Sequence, residues 1–339
     1  MDESAQFLEV LRRDGHVHDP QARLMPLTGG VSSEIYLVED GSNKFVVKRA
    51  LAKLKVKDDW FADVSRNASE RNYLEVVGRL LPENVPQILF ADSDAGYFGM
   101  EFLGDRFANW KQLLLAGDCR PEHAELAGKI LGEIHRRTRG DQSLRRQFDT
   151  TSNFRQLRLE PYLLKTGLRH PELREFFVAE VARIETTREC LIHGDFSPKN
   201  ILIHGDRMVL LDCEVAWYGD PAFDVAFLLN HFFLKWLRHA PLEVGMEKMI
   251  ARFWRQYLVS AQSLPDIFTA RVLRLLPLLL LARVDGKSPV EYLDPARQEF
   301  IRNFVATELR DVRIDLQSFV QSWAEKSCSL QLTPTPNEN

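Results

Sequence analysis

The sequence predicts an α+β protein with two lobes, an N-terminal lobe built on an antiparallel sheet with one main helix and a mostly helical C-terminal lobe. Two observations support this fold class. Short runs rich in β-branched and aromatic residues, separated by polar turns, occupy the first hundred positions. Beyond them, apolar residues recur at helical spacing over most of the chain. We expect an N-terminal lobe at 1–103, a helical lobe at 104–328 and a disordered tail at 329–339.

The strands of the N-terminal lobe are expected in two groups. The runs LMPL, EIYLVED and KFVVKRA lie between positions 24 and 50, and the last two flank the polar turn DGSN. A helix is expected at about 66–81, where Leu74, Val77 and Leu81 share one face. The runs QILFAD and YFGMEFLG then predict a further strand pair.

The C-terminal lobe is expected to contain one helix at 121–139, two helices within 153–186 and roughly four between 221 and 327. Its most apolar run, LLPLLLLA, ends at Ala282 and is interrupted by Pro277. This run is too short to cross a bilayer, so it predicts a buried core helix.

The composition excludes several classes of protein. The chain has 339 residues, 45% of them hydrophobic, and a net charge of only -4, so no polybasic surface for nucleic acid or membrane is indicated. The four cysteines form no CxxC pair, and the first residues lack the build of a signal peptide. A cytoplasmic protein with reduced thiols is the expectation.

The pentapeptide LIHGD occurs twice, ending once at Asp195 and once at Asp206. The second copy lies between ILI and RMVLLD, two runs of strand formers that meet at Gly205 and Asp206, as in a tight hairpin turn. The first copy is followed by FSPKN, whose proline prevents the strand from continuing. We therefore expect Asp206 to lie in a turn and Asp195 to begin an irregular, functional loop.

That loop has the spacing H-x-D-x-x-x-x-N, formed by His193, Asp195 and Asn200, and Asp212 follows the next strand. Kinases have this arrangement, in which the first aspartate accepts the proton of the substrate hydroxyl. Asn200 and Asp212 supply the hard oxygen atoms that Mg²⁺ prefers. Asp and Asn in loops also cap turns, but the hairpin and the second aspartate favour a catalytic function.

The N-terminal half contains residues suited to binding a nucleotide. The segment TGGVSS includes Gly29, Gly30, Ser32 and Ser33 and could bind phosphates through its backbone N–H groups, or simply turn the chain. Lys48 ends the apolar strand FVVK, where a surface lysine is the alternative interpretation. On the next helix Glu70 is the preferred ion-pair partner of this lysine, and Glu75 is the competing one.

At this point the chain resembles the aminoglycoside phosphotransferase and choline kinase-like family, which consists of small-molecule kinases with a protein-kinase-like fold. The resemblance rests on LTGGVSSEIYLV, VVK, HGDFSPKN and LLDCEVAWYGDPAFDVA, and the order of these segments covers roughly residues 20–310. HGD in place of HRD, and D-x-E in place of DFG, favour this family over the protein kinases.

The resemblance implies a function for most of these residues. Asp195 would be the catalytic base, Asn200 and Asp212 the Mg²⁺ ligands and Lys48 the phosphate anchor. The segment from Met100 to Leu103, with Glu101, matches the linker whose backbone would bind the purine of ATP or GTP. Asp224, in GDPAFD, would be a buried residue that braces the catalytic loop. The block LARVDGKSPVEYL at 281–293 resembles an element of some members, without an assigned role.

The acceptor is the part of the reaction that the sequence describes least. In the family, helices before the catalytic loop help to form the acceptor pocket, and positions 136–174 hold ten Arg or Lys against four acidic residues. A polycationic acceptor would be repelled there, so a neutral or anionic alcohol is favoured. The alternative is that these residues form a solvated helix face.

The predicted function is therefore a Mg²⁺-dependent transfer of the terminal phosphoryl group of ATP or GTP to a hydroxyl group of a small molecule. Three alternatives remain open. One is an aminoglycoside- or choline-type kinase with a cationic acceptor. Another is a nucleotide-binding pseudokinase, which the complete set of kinase residues disfavours. The third is a protein kinase, against which the chain shows neither DFG nor APE after Asp212.

Overall fold

The computed structural model describes residues 3–27, 33–50, 66–240, 242, 245–310, 315–328 and 330. The chain divides into two compact units. The first unit comprises Met1–Phe107 and Val209–Val215, and the second comprises Ala108–Met208 and Ala216–Asn339. The expected α+β class is confirmed, because the first unit contains an antiparallel sheet and the second is largely helical. The expected tail lies outside the described residues except for Leu330.

The first unit is built on a five-stranded antiparallel sheet in the order β1-β2-β3-β5-β4. Its strands are β1 (Arg23–Pro26), β2 (Ser33–Asp40), β3 (Asn43–Ala50), β4 (Ile88–Asp92) and β5 (Tyr97–Glu101). The turn between β2 and β3 contains Gly41 at φ 62°, a conformation that favours glycine. The pairing of β2 with β3 places Ile35 opposite Lys48.

In the described part of the first unit, the sheet is accompanied by the helices α1 (Glu3–Arg13) and α2 (Arg66–Leu80), with a 3₁₀ turn at Pro82–Asn84. Helix α1 packs its apolar side against one face of the sheet, where Phe7 contacts the rings of Tyr36 and Tyr97. Phe45 and Val47 of β3 belong to the same core. Because side chains alternate along a strand, Lys48 lies on the opposite face.

The second unit is mainly helical. Its first half contains α3 (Trp110–Leu115), α4 (Pro121–Thr138), α5 (Gln142–Gln147), α6 (Thr151–Phe154), a π-helix at Arg155–Leu164, α7 (Lys165–Arg169), a 3₁₀ turn at Pro171–Leu173 and α8 (Arg174–Thr186). Its second half contains α9 (Pro221–His239), α10 (Met246–Ala261), α11 (Phe268–Asp285), α12 (Pro295–Glu308) and α13 (Leu316–Ser327). The described residues between 221 and 327 thus form five helices, and the sequence predicts roughly four.

Helices α9 and α11 form the apolar centre of this unit. The leucine-rich run expected as a core helix lies in α11, and Leu275 to Ala282 are buried there. Helices α4 and α10 approach closely at Gly132, where an added Cβ would lie 2.8 Å from the backbone nitrogen of Ala261. In the described part of the chain, no helix is both long and apolar enough to span a membrane.

The 10-residue π-helix replaces part of the first of the two helices expected within 153–186, and α8 corresponds to the second. At its end the N–H of Lys165 donates to the carbonyl of Glu160, five residues earlier. Pro161 lies inside the segment and has no N–H to donate, and its carbonyl accepts from the N–H of Lys287. The π-helix is therefore joined by a backbone hydrogen bond to the segment that follows α11.

Short strands surround the loop that contains Asp195. Strand β7 (Cys190–Ile192) pairs antiparallel with β10 (Trp217–Gly219). Strands β6 (Ala108–Asn109), β8 (Ile201–His204) and β9 (Arg207–Leu210) form a second small sheet in the order β6-β8-β9. The expected hairpin is present, since Gly205 and Asp206 form the turn between β8 and β9, with Gly205 at φ 56°.

Candidate functional site

The first unit brings together Lys48, Glu70 and Asp212. Lys48 Nζ lies 2.6 Å from Oε2 of Glu70 and 2.9 Å from Oδ1 of Asp212. The Lys48 and Glu70 side chains are only 3% and 2% exposed, whereas Asp212 is 35% exposed. Glu75, the competing partner, lies instead beside Arg71 on α2. A lysine on a sheet face and a glutamate on α2 thus form a buried ion pair. Its short distance is needed because removing both charges from water costs free energy.

The charge around Lys48 is unbalanced, because Asp212, Glu70 and Glu214 all act on one ammonium group. Burial alone would lower the pKa of Lys48, but the three carboxylates outweigh it and raise that pKa. Burial raises the pKa of Glu70, which shares the lysine with Asp212. The excess of negative charge suits a site that receives a cation.

Asp212 has a strained backbone. Its φ is 58°, in the left-handed region that residues other than glycine rarely adopt. Such a conformation costs about 1–2 kcal/mol and is retained where the surrounding structure needs it. Here it accompanies the contact between the Asp212 carboxylate and Lys48.

The other predicted nucleotide-binding residues are less informative. Gly29, Gly30 and Ser32 lie outside the described residues, and Ser33 is described only as the first backbone position of β2. Glu101 ends β5, and its N–H donates to the carbonyl of Gln87. Leu103 follows in a segment without regular structure, as a linker at the end of a strand would.

In the second unit, the catalytic-loop candidates follow β7 and are held by Asp224. This residue is completely buried in α9, and its carboxylate accepts the N–H groups of His193 and Gly194 at 2.7 and 2.9 Å. The N–H of Asp195 donates to Nδ1 of His193 at 3.2 Å. The expectation that Asp224 braces the loop is confirmed, because it accepts both hydrogen bonds at the sharp turn, where Gly194 has φ 75°.

Asp195 is 3% exposed and contacts two cationic side chains. Its Oδ2 lies 2.9 Å from Nη2 of Arg158 and 2.9 Å from Nζ of Lys199. Arg158 also donates through Nε to the carbonyl of Gly194 at 2.6 Å. The carboxylate is thus oriented by the π-helix on one side and by its own loop on the other, and the two cations favour its charged form.

Asn200 is the other loop residue with a predicted role. It is buried, and its Nδ2 donates to the backbone carbonyl of Asp195 at 3.1 Å. This bond fixes the orientation of the amide, so Oδ1 is the atom that can bind a cation. Asp206, which ends the second copy of LIHGD, is exposed in its hairpin turn, as expected.

The basic side chains at 136–174 differ in their contacts. Arg158, one of the ten, contacts Asp195. Arg136 and Arg137 pair with Glu133, Arg155 pairs with Glu185, and Arg145 is exposed. Most of the stretch is therefore exposed to solvent or paired with neighbouring residues, as a solvated helix face would be. Arg158 is directed at Asp195, as a residue of the acceptor pocket would be.

Two contacts of the catalytic-loop candidate were not anticipated. Arg158 lies in the basic stretch at 136–174, but no motif distinguishes it from its neighbours. The direction of its side chain depends on the π-helix, which the sequence does not predict. Lys199 lies in the loop FSPKN. Its position four residues after Asp195 is the feature of the sequence that indicates this contact. In the described residues, no group of three His, Cys, Asp or Glu side chains could hold a metal by itself.

Residues 23–265 match the family described as the phosphotransferase enzyme family (APH). The chain is similar to an N-acetylmuramate/N-acetylglucosamine kinase from Neisseria meningitidis, with 23% identity over 58% of this chain and 59% of that protein. It is also similar to a methylthioribose kinase from Pectobacterium atrosepticum, with 22% identity over 79% of this chain and 74% of that protein.

Among solved structures, an amicoumacin kinase (hAmiN) in complex with AMP-PNP, Ca²⁺ and Ami has a TM-score of 0.59 and 14% identity, covering 95% of this chain and 99% of that one. A choline/ethanolamine kinase family protein from Mesorhizobium loti has a TM-score of 0.52 and 13% identity, covering 89% of this chain and 92% of that one. These likenesses show that the fold is shared.

Proposed function

The chain belongs to the phosphotransferase enzyme family, and from this premise we propose that it transfers the terminal phosphoryl group of a nucleoside triphosphate to a hydroxyl group of a small molecule. The two curated relatives named above are an N-acetylmuramate/N-acetylglucosamine kinase and a methylthioribose kinase, which supports a hydroxyl acceptor. ATP is the donor we favour, with GTP as the alternative.

Asp195 acts as the catalytic base in this proposal. It accepts the proton of the acceptor hydroxyl as that oxygen attacks the phosphoryl group. Its contact with Arg158 and its place in a loop braced by Asp224 support this role, because a base must be held in one orientation to act. His193 positions the loop, since its ring nitrogen accepts the N–H of Asp195.

Lys48 anchors the nucleotide phosphates, and Glu70 holds the lysine in place. Their buried ion pair supports the assignment. The backbone of Gly29, Gly30, Ser32 and Ser33 is proposed to cover the phosphates, and the backbone at Glu101 and Leu103 to bind the purine.

Asn200 and Asp212 are the proposed Mg²⁺ ligands. Their amide and carboxylate oxygens are hard donors, and the excess of carboxylates near Lys48 fits a cation at Asp212. A bound Mg²⁺ would neutralise charge on the phosphates. The orienting hydrogen bond of Asn200 and the contact of Asp212 with Lys48 prepare these two side chains for that task.

A cytoplasmic location is also proposed. Cys119, Cys190, Cys213 and Cys328 are all free thiols in the structure. Free thiols are typical of proteins in reducing compartments.

The observation that carries the proposed function is the arrangement of Asp195 in a buried loop that Asp224 fixes through two N–H groups. The test is a turnover screen with Mg²⁺ and ATP or GTP over sugars, hydroxy acids, amino alcohols and aminoglycosides, with phosphorylated products identified by ³¹P NMR. Asp212→Ala should abolish metal-dependent turnover. Nucleotide binding without turnover of any acceptor would favour the pseudokinase alternative.

A further inference from the structure

The second unit contains a group of basic side chains, two of which contact Asp195. They come from separate elements of the fold. We call them the basic cluster, which consists of Lys111 on α3, Arg158 in the π-helix, Lys199 in the catalytic loop, Lys235 on α9 and Arg283 on α11.

Tyr162 links two members of the basic cluster. Arg283 donates through Nη1 to the Tyr162 hydroxyl at 3.3 Å, and its guanidinium carbon lies 5.6 Å from the ring centroid. The guanidinium carbon of Arg158 lies 5.9 Å from the same centroid. Although burial would raise the pKa of Tyr162, Arg283 and Arg158 outweigh it and lower that pKa. The positive field therefore extends from Asp195 through Tyr162 to Arg283.

Lys235 is the most unusual member, because it is 1% exposed and has no ion pair within the described residues. Its Nζ lies 5.4 Å from the ring centroid of Tyr292, and Lys111 faces the same ring at 6.0 Å. Glu291, the carboxylate that faces them, already pairs with Lys111. A buried ammonium group without a carboxylate partner is costly unless something else compensates it.

The surroundings of Lys235 reinforce this imbalance. Burial, Lys111 and Arg283 lower the pKa of Lys235 to about 7, and the opposing effects of Glu291 and Cys119 are smaller. On its own helix, His231 is 7% exposed, and burial together with Lys235 and Arg283 lowers the pKa of its imidazole. The imidazole is thus neutral and does not compensate the charge of Lys235.

Several polar atoms beside the basic cluster have no hydrogen-bond partner in the described part of the protein. They are buried and belong to a member of the cluster or to a side chain beside it. These atoms are Nδ1 of His231, the hydroxyl of Tyr292 and Nε of Arg283. Buried polar atoms of this kind are normally satisfied, often by a ligand or an ordered water.

The block at 281–293, which had no assigned role, forms this side of the cluster. Arg283 donates through Nη1 to the side-chain hydroxyl of Ser288 at 3.0 Å, and the N–H of Val290 donates to the carbonyl of Arg283. The N–H of Lys287 donates to the carbonyl of Pro161 in the π-helix. The block therefore holds Arg283, Glu291 and Tyr292 near Lys235 and Tyr162.

We propose that the acceptor carries an anionic group, a carboxylate or a phosphate, which Lys235 and Arg283 bind while Asp195 receives the proton of the acceptor hydroxyl. This inference rests on the proposed function, because it concerns the acceptor of that reaction. An anion would compensate the buried ammonium of Lys235 and accept hydrogen bonds from the free donors beside it. A cationic acceptor would be repelled by the same side chains.

The test uses four compounds with one carbon skeleton and different charges: D-gluconate, D-glucose 6-phosphate, D-glucose and D-glucosamine. Their binding to the whole chain without nucleotide is measured by calorimetry at low salt. We expect at least one of the two anions to bind about tenfold or more tightly than glucose and glucosamine. The two anions distinguish a carboxylate site from a phosphate site.

Lys235→Met tests the residue, because methionine keeps the length of the side chain and removes the charge. We expect it to weaken anion binding by about tenfold or more and to leave the affinity for glucose and for nucleotide within about threefold. Lys248→Met, on the exposed surface of α10, is the matched control and should bind like the wild type. In the wild type, anion binding should weaken as pH rises above about 7, since Lys235 must be protonated.

The inference is overturned if neither anion is preferred, if Lys235→Met retains the preference, or if that variant weakens nucleotide binding instead. The last result would place the basic cluster at the nucleotide phosphates. If the proposed function is wrong, the result differs, because anions would still bind while no acceptor is phosphorylated. Turnover of neutral acceptors without any anion preference would uphold the phosphotransfer and reject the anionic acceptor.

Discussion

Arg158 contacts the loop that contains Asp195 at two points, since its Nη2 lies 2.9 Å from Oδ2 of Asp195 and its Nε donates to the carbonyl of Gly194 at 2.6 Å. The cation that holds the proposed base is therefore also hydrogen-bonded to the backbone beside it. Arg158 is a positioning residue in this arrangement, and its effect on catalysis should be exerted through Asp195.

Arg158→Gln should lower kcat by about tenfold to a hundredfold, because a misplaced catalytic group loses orientation without being removed. The nucleotide KM should change little. Arg158→Lys should recover part of the loss, since lysine restores the charge but not the second hydrogen bond. Steady-state kinetics of the three proteins check this. Equal losses in Arg158→Gln and Arg158→Lys, together with a lower melting temperature, would indicate a purely structural role.

Asp195→Asn should lower kcat by about two to four orders of magnitude, the usual contribution of general-base catalysis. Its affinity for nucleotide should be retained, because the substitution keeps the shape of the side chain. Asp206→Asn is the matched control, since this residue ends the other copy of LIHGD and lies in an exposed turn. It should alter turnover by less than about threefold. Similar losses in both variants would contradict our distinction between the two copies.

Lys48→Met should destabilise the protein by about 3–5 kcal/mol, because it leaves the buried Glu70 carboxylate without its partner. The double variant Lys48→Met/Glu70→Gln removes both charges and should recover most of that stability without recovering activity. Denaturant unfolding and turnover measured on the same samples separate the two effects. Recovery of activity in the double variant would show that Lys48 has no role in nucleotide binding.

Asp224→Asn should lower kcat more than either KM, because the amide group can accept only one of the two N–H bonds that the carboxylate accepts. The loss of stability should be about 1–3 kcal/mol, the cost of an unsatisfied buried group. Thermal unfolding and kinetics provide the check. An unchanged kcat in a folded variant would mean that the loop keeps its shape without this brace.

Lys235→Met should stabilise the protein in the absence of acceptor. The shift of the Lys235 pKa from 10.5 to about 7 corresponds, at about 1.4 kcal/mol per pKa unit, to a cost of at most about 5 kcal/mol. Because the unfolded chain binds this proton more tightly, the cost is full below about pH 7 and disappears as pH rises toward 10.5. The stability gain of the variant, measured by denaturant unfolding, should therefore shrink from pH 7 to pH 10. A gain that is independent of pH would contradict this assignment.

The fold could be predicted from the sequence because its main elements have strong local patterns. The strand runs from Glu34 to Lys48 alternate around a polar turn, and the helix at 121–139 has a continuous apolar face. Roughly four helices are expected between 221 and 327, and the described residues there form five, α9 to α13. Helix boundaries are harder to predict than the presence of helices, because they depend on tertiary packing as well as on local sequence.

Much of the candidate site could be identified from spacing alone, since Asp195, Asn200 and Asp212 lie close together in the chain. The pairing of Lys48 with Glu70 could also be anticipated, because a strand and the following helix supply the two partners. The contact of Arg158 with Asp195 could not, since its partner lies 37 positions later in the sequence. Lys235 resembles any lysine on an amphipathic helix until the burial of α9 is known.

The π-helix at Arg155–Leu164 has a consequence for how sequences of this kind can change. A π-helix has about one more residue per turn than an α-helix, so it can be regarded as an insertion absorbed without lengthening the connection. Deleting one residue here would let an α-helix span the same connection, so the side chains within the segment would change direction while the flanking helices keep theirs. A single-codon deletion would therefore change how Arg158 is directed at Asp195 and leave the rest of both units intact.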